Sequence, residues 1–190
     1  MDVASVPAMT EQTAMKEPTI ETPQPVWRPV TPGTGGEREL LAAFLDHFRV
    51  ALRRKAEGLS DADAVRRLVP SQTTVAGVVK HLRWVEYAWF QFRLTETRIE
   101  DLDPMLTTDV VDADFLIEPG ETLARLLDDY DEQCARSREL AAGYDLDHTV
   151  PSNSQRVSLR WIYLHMIEET ARHIGQLDVL REQLDGAVGD

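Results

Sequence analysis

The stretch SLRWIYLHMIEETARHIGQLDVLREQL, running from Ser158 to Leu184, decides the fold. Leu159, Ile162 and Met166, then Leu177 and Leu180, continue one stripe at spacings of three and four, the period of an amphipathic helix. Ser158 precedes the stripe as an N-cap and Gly186 follows it as a stop. The two central positions of the stripe are not apolar: they are Glu169 and His173. At 100° per residue these two fall about 40° apart inside the apolar arc, whereas Glu168 and Arg172 point away from it. A carboxylate placed in a core is costly unless it is paired or bound to a metal.

Working outward, three further helical patterns precede this one. Glu37 to Glu57 carries Leu41, Phe44, Leu45, Phe48 and Leu52 on one face and stops at Gly58. A short helical turn over Ser60 to Arg67 follows, with Ser60 and Asp63 in a capping arrangement. The second long helix starts near Thr74, and Val75, Val78, Leu82, Val85, Trp89 and Phe92 form its seam. The third starts at Glu118-Pro119 and ends at Gly143, with Leu123, Leu127, Tyr130, Cys134, Ser137 and Ala141 as its stripe. No strand-like alternation stands out, so the expectation is an all-α four-helix bundle over residues 37–186. Residues 1–36, rich in Pro, Thr and Gly, read as an irregular arm in which Trp27 packs back onto the domain. The connection from Thr95 to Glu118 is long enough to travel the length of a 22-residue helix, roughly 33 Å. Helices two and three are therefore able to run parallel, joined by a crossover.

Composition bounds the function. The chain has 190 residues, 33 acidic against 20 basic, and a net charge of −13. Phosphate-backbone binding draws on Lys and Arg, so nucleic acid is not an expected partner. A single cysteine, Cys134, excludes a disulfide framework and cysteine-paired zinc sites, and its place in a stripe makes it a small buried hydrophobe. No apolar run reaches the roughly 18 residues of a membrane span, and the opening residues lack a signal-peptide pattern. A cytoplasmic protein with no membrane partner is expected. The charge is concentrated: from Glu96 to Glu121 there are nine acids and one base, Arg98. That acidity reads as the solvation of a long crossover rather than as a cation site.

His81 lies beside the seam of the second helix, one turn after Val78 and one before Val85. His81, Glu169 and His173 are thus able to converge inside the bundle. Two imidazoles and a carboxylate form a usual three-ligand set that leaves positions open for water or substrate. The plainer alternatives are a hydrogen-bonded packing histidine and a simple side-chain pair at i, i+4. His165 and Gln176, further round the same edge, are candidates to orient a ligand or touch substrate, or plain polar lining. His47 and His148 read as surface residues. Trp84, Tyr87, Trp89, Phe90 and Phe92 read as core and crossover packing, with an apolar substrate wall as the alternative.

These residues carry a resemblance. The segment from His165 to Gln176, with a ligand position, three residues and a His before Gly175-Gln176, resembles the last-helix motif of the DinB/YfiT-like superfamily. Val79-Lys80-His81-Leu82 with Val85-Glu86 resembles its second-helix motif. Val157-Ser158-Leu159-Arg160-Trp161, together with Leu68-Val69-Pro70-Ser71, is similar to the actinobacterial branch labelled DUF664. The resemblance implies a four-helix bundle with a long second-to-third crossover and a divalent metal held by His81, Glu169 and His173. Zinc comes first, with nickel, iron, manganese and magnesium as alternatives. Many members have His where this chain has Glu169; the mycothiol-dependent maleylpyruvate isomerases resemble it in using Glu. The function implied is a metal-dependent thiol S-transferase acting between a low-molecular-weight thiol such as mycothiol and a small-molecule electrophile. The alternatives are a metal-dependent hydrolase of the same fold and a non-catalytic binding module. A homodimer is an option open to a small bundle with spare aromatic residues.

Overall fold

In the computed structural model, which describes residues 33–188 apart from 104, 106 and 107, the helices form where apolar period and caps agree. α1 (Glu37–Ala56) gives way to Gly58, whose φ of +82° is the left-handed conformation that glycine adopts without strain. α2 (Asp61–Ala64) is one turn, and the Ser60 hydroxyl accepts from the Asp63 amide at its start. α3 (Val75–Glu86), α4 (Leu123–Ala142) and α5 (Leu159–Asp185) are capped by the hydroxyls of Thr74, Thr122 and Ser158. Each such cap stabilises its helix by about 1 kcal/mol. No helix among the described residues is long and apolar enough to cross a membrane. Trp27 lies outside the described residues.

Ion pairs and ring contacts fix the helix directions. Glu37 pairs with Arg160 and Lys55 with Asp178, so α1 and α5 run parallel. Asp46 meets Arg138 and Arg53 meets Asp131, so α4 runs antiparallel to α1. His81 faces Glu169 while Trp89, further along the same helix, lies tilted against Trp161, so α3 runs antiparallel to α5. It follows that α3 and α4 are parallel, with the acidic crossover between them.

Two apolar clusters fill the interior. One gathers Leu52, Val78, Leu82, Leu127, Tyr130 and Leu177; the other gathers Leu45, Phe90, Leu94, Val157, Ile162 and Met166. Along each long helix, buried polar residues separate the two: Arg49 in α1, Glu86 in α3, Ser137 in α4, and Glu169, Thr170 and His173 in α5. The protein thus has a polar layer between two oily halves.

Several local readings are corrected. A hairpin, β1 (Thr149–Ser152) with β2 (Gln155–Ser158), leads into α5, although no strand was expected. Its strands have four residues each, and of the three that are buried, Val150, Ser152 and Val157, only the two valines are apolar, so hydrophobic alternation has no length in which to show. α4 begins at Leu123 rather than Glu118, because Gly120 sits at φ +94° and Thr122 supplies the cap. Phe44 is 46% exposed; the buried line of α1 runs through Leu45, Arg49, Leu52 and Ala56 instead. After Glu86 the second helix continues as a π-helix, Tyr87–Arg93, with Leu94 N–H donating to the Trp89 carbonyl five residues back. The wider turn buries Phe90, as expected, together with Leu94, and leaves the seam residues Trp89 and Phe92 half-buried. His47 and His148 lie at the surface half-buried, against Phe48 and Tyr144 respectively.

Candidate metal centre

The polar layer brings His81, Glu169 and His173 together. One ligand atom from each lies within 4.8 Å of the others. Glu169 Oε1 is 3.3 Å from His81 Nε2 and 3.1 Å from His173 Nε2, so both imidazoles aim the same nitrogen at one carboxylate oxygen. α5 places Glu169 and His173 a turn apart, and α3 brings His81 in from the opposite side. All three side chains are largely withdrawn from solvent, at 15%, 11% and 5% exposure for His81, Glu169 and His173.

The outer nitrogens are held as well. His81 Nδ1 is 2.6 Å from Asp114 Oδ2, and His173 Nδ1 is 2.9 Å from Gln176 Oε1. Asp114 and Gln176 each offer an acceptor oxygen to one Nδ1, and Glu169 Oε1 is offered to both Nε2 atoms. Each Nε2 is then left to face inward. This is the arrangement that fixes tautomer and ring orientation in metal-ligating histidines. Among the described residues, only these three form a cluster of potential ligands. Their chemistry, two imidazole nitrogens and one carboxylate oxygen with orienting partners outside, fits a divalent transition metal.

Electrostatics agree with the geometry. Burial alone would lower the pKa of His81, but hydrogen bonds to Asp114 and Glu169 more than offset it and raise it above the ordinary histidine value. Hydrogen bonds from His173 first, then His81 and Arg172, hold Glu169 far below the usual carboxylate range. Asp114 is also lowered: burial opposes this, and the hydrogen bond from His81 outweighs it. Glu169 is therefore the ionised, negative member of the group.

The remaining candidates separate. Gln176 touches His173 directly. His165 makes no hydrogen bond or ring contact with the trio; it is stacked on Trp161 at 5.1 Å and set edge-on to Trp89 at 4.7 Å. Arg172 was read as pointing away, and its body is exposed, yet its guanidinium reaches back to Glu169 Oε2 at 2.5 Å. Asp114 and Phe115, both from the acidic crossover, went unread in the sequence: Phe115 stacks on His81 with ring centroids 4.3 Å apart. The crossover acidity is thus not solvation alone. Cys134 is buried between Tyr130 and Ser137, away from the trio, and burial pushes its thiol up, out of nucleophile range. Trp84, Tyr87 and Phe90 are buried packing residues, with Arg83 lying 3.9 Å over the Trp84 ring. A cavity of about 380 Å³ lies at the α1, α2 and α4 end, lined by Arg53, Leu59, Asp61 and Leu127, and includes none of the trio.

A mostly helical domain with an inward His, Glu and His set defines a recognisable class. Residues 40–186 match the family model described as mycothiol-S-transferase, and the chain belongs to that family. A search of proteins with curated functions finds no match.

Proposed function

We propose that this protein is a divalent-metal-dependent thiol S-transferase that joins a low-molecular-weight thiol, mycothiol, to a small-molecule electrophile. In this reading the four long helices and the crossover make a DinB-type four-helix bundle, and His81, Glu169 and His173 are the metal ligands. One observation carries the proposal: both histidines have Nδ1 engaged by an acceptor outside the site, which turns both Nε2 atoms towards Glu169. A simple side-chain pair at i, i+4 needs no such outer partners. The family membership supplies the thiol.

A cation held there would lower the pKa of a thiol and keep it as thiolate at neutral pH. The chain's own residues prepare for this. Asp114 and Gln176 hold the two imidazoles, and Arg172 holds Glu169 Oε2 so that Oε1 faces inward. The nitrogen-rich donor set suits zinc, nickel or iron better than magnesium, which favours oxygen ligands. Three protein ligands leave room for the thiol sulfur. With Cys134 buried elsewhere, the reacting sulfur arrives with the co-substrate.

The test is elemental analysis of untagged protein beside His81→Ala and Glu169→Ala. Stoichiometric metal in the parent and its loss from both variants is expected; retention in either overturns the ligand assignment. Metal-dependent consumption of mycothiol with a panel of electrophiles is expected from the parent alone. Its absence across the panel overturns the transferase reading.

A further inference from the structure

The crossover segment that carries Asp114 is fastened to α3 through three of its residues, His81, Lys80 and Gly77. Asp112 turns the chain with a left-handed φ of 55° and opens the 3₁₀ turn Ala113–Phe115. Asp114 accepts from His81 Nδ1–H at 2.6 Å, and the Phe115 ring covers the His81 ring. Beyond the turn, Lys80 Nζ donates to the Leu116 carbonyl at 2.7 Å and to Glu121 Oε2 at 2.8 Å. Gly77, one helical turn before His81, provides the seat: a Cβ there would stand 2.8 Å from the Phe115 carbonyl oxygen. Backbone cannot yield as a flexible side chain does, so any larger residue at 77 lifts the turn.

Two of these contacts, from Asp114 and Phe115, fall on His81 itself. We infer that the turn Ala113–Phe115 is a clasp on the metal centre, with Asp114 as the positioning residue for His81 and Gly77 as the seat. Docking of the clasp and metal loading are one coupled equilibrium. The inference rests on the metal-site reading above and adds a regulatory element to it. Asp114 and Phe115 hold the His81 ring only while the turn is docked, so an undocked turn leaves His81 free to rotate. By linkage, whatever factor the docked clasp adds to metal affinity, the metal returns to docking.

Gly77 makes the idea testable without touching a ligand or its partner. Gly→Ala inside a helix is normally stabilising. Here it is expected to weaken metal binding. Zinc affinity, measured by competition with a chromophoric chelator, should fall about 10–100-fold in Asp114→Ala. Asp114→Asn, which keeps an acceptor oxygen but not the charge, should recover part of that loss. Gly77→Ala should lose about fivefold or more, a loss that largely vanishes in an Asp114→Ala background because both act through the same clasp. Hydrogen exchange of the amides of residues 112–117 should slow on zinc addition in the parent and not in Gly77→Ala. Parent protein that binds zinc with unchanged affinity in Asp114→Ala and Gly77→Ala overturns the clasp alone. Parent protein that binds no zinc overturns the metal site and the clasp together.

Discussion

Glu86 and Glu169 are both buried carboxylates in the same polar layer, and they have opposite company. Glu86 is 1% exposed and both its oxygens are taken by one guanidinium, Oε1 by Arg49 Nε at 2.8 Å and Oε2 by Nη2 at 2.6 Å. Asp46 accepts from the remaining side of Arg49 at 2.8 Å. Burial disfavours the Arg49 charge, but Glu86 outweighs it and holds the guanidinium well above its ordinary pKa. Nothing is left over to bind. Glu169 instead has one oxygen on exposed Arg172 and offers the other to two imidazoles, which are weaker and exchangeable partners. A fork of fixed positive charge closes a carboxylate; a pair of imidazole nitrogens, which can themselves turn to a metal, leaves it open to a cation. That contrast, more than burial or charge alone, distinguishes a structural acid from a candidate ligand.

The comparison can be broken at Glu86 first. Glu86→Ala strands a buried guanidinium and should destabilise the fold by about 3–5 kcal/mol, towards the lower figure because Asp46 still accepts from Arg49. Urea denaturation of metal-free protein checks this, and Glu169→Ala should cost clearly less in the same measurement. A smaller effect is expected at the second orienting partner. Gln176→Ala should lower zinc affinity about 10–100-fold while leaving the Arg49–Glu86 pair, and hence metal-free stability, nearly unchanged. The smallest effect sharpens the point most. Replacing the pair together, Arg49→Met with Glu86→Leu, should be neutral or stabilising by about 1–4 kcal/mol and should keep stoichiometric metal. Were that double variant to lose its metal, the two carboxylates would share a task and the division drawn between them would fall.

Much of this was legible in the chain. Serine, threonine and glycine mark the helix ends because capping is local chemistry, and Thr74, Ser158 and Gly186 do at the termini what their types imply. The trio was legible because Glu169 and His173 interrupt an apolar stripe, an anomaly that periodicity exposes. Asp114 was not. It is one of nine acids in its run, 33 residues from His81, and nothing local separates it from neighbours that face water. Arg172 was misplaced because angle on a helical wheel describes Cβ, while a long side chain reaches back across about one turn. Phe44 stands outside because polar Arg49 holds the inner line of α1 to reach Glu86. Tertiary partners decided these cases, and a stretch of sequence does not contain its partners.

The π-helical stretch Tyr87–Arg93 has a consequence of a different kind. A π-turn holds one residue more than the α-turn it replaces, which is what a single inserted residue does to a helix whose two ends are already committed. Upstream, His81 and Glu86 keep the frame that meets α5 and α1; downstream, Leu94 and the chain leading to the crossover follow a rotated one. The helix therefore has two reading frames, and the splice between them falls just past the residues that face the polar layer. The splice thus lets His81 face Glu169 upstream while Phe90 and Leu94 enter the second apolar cluster downstream.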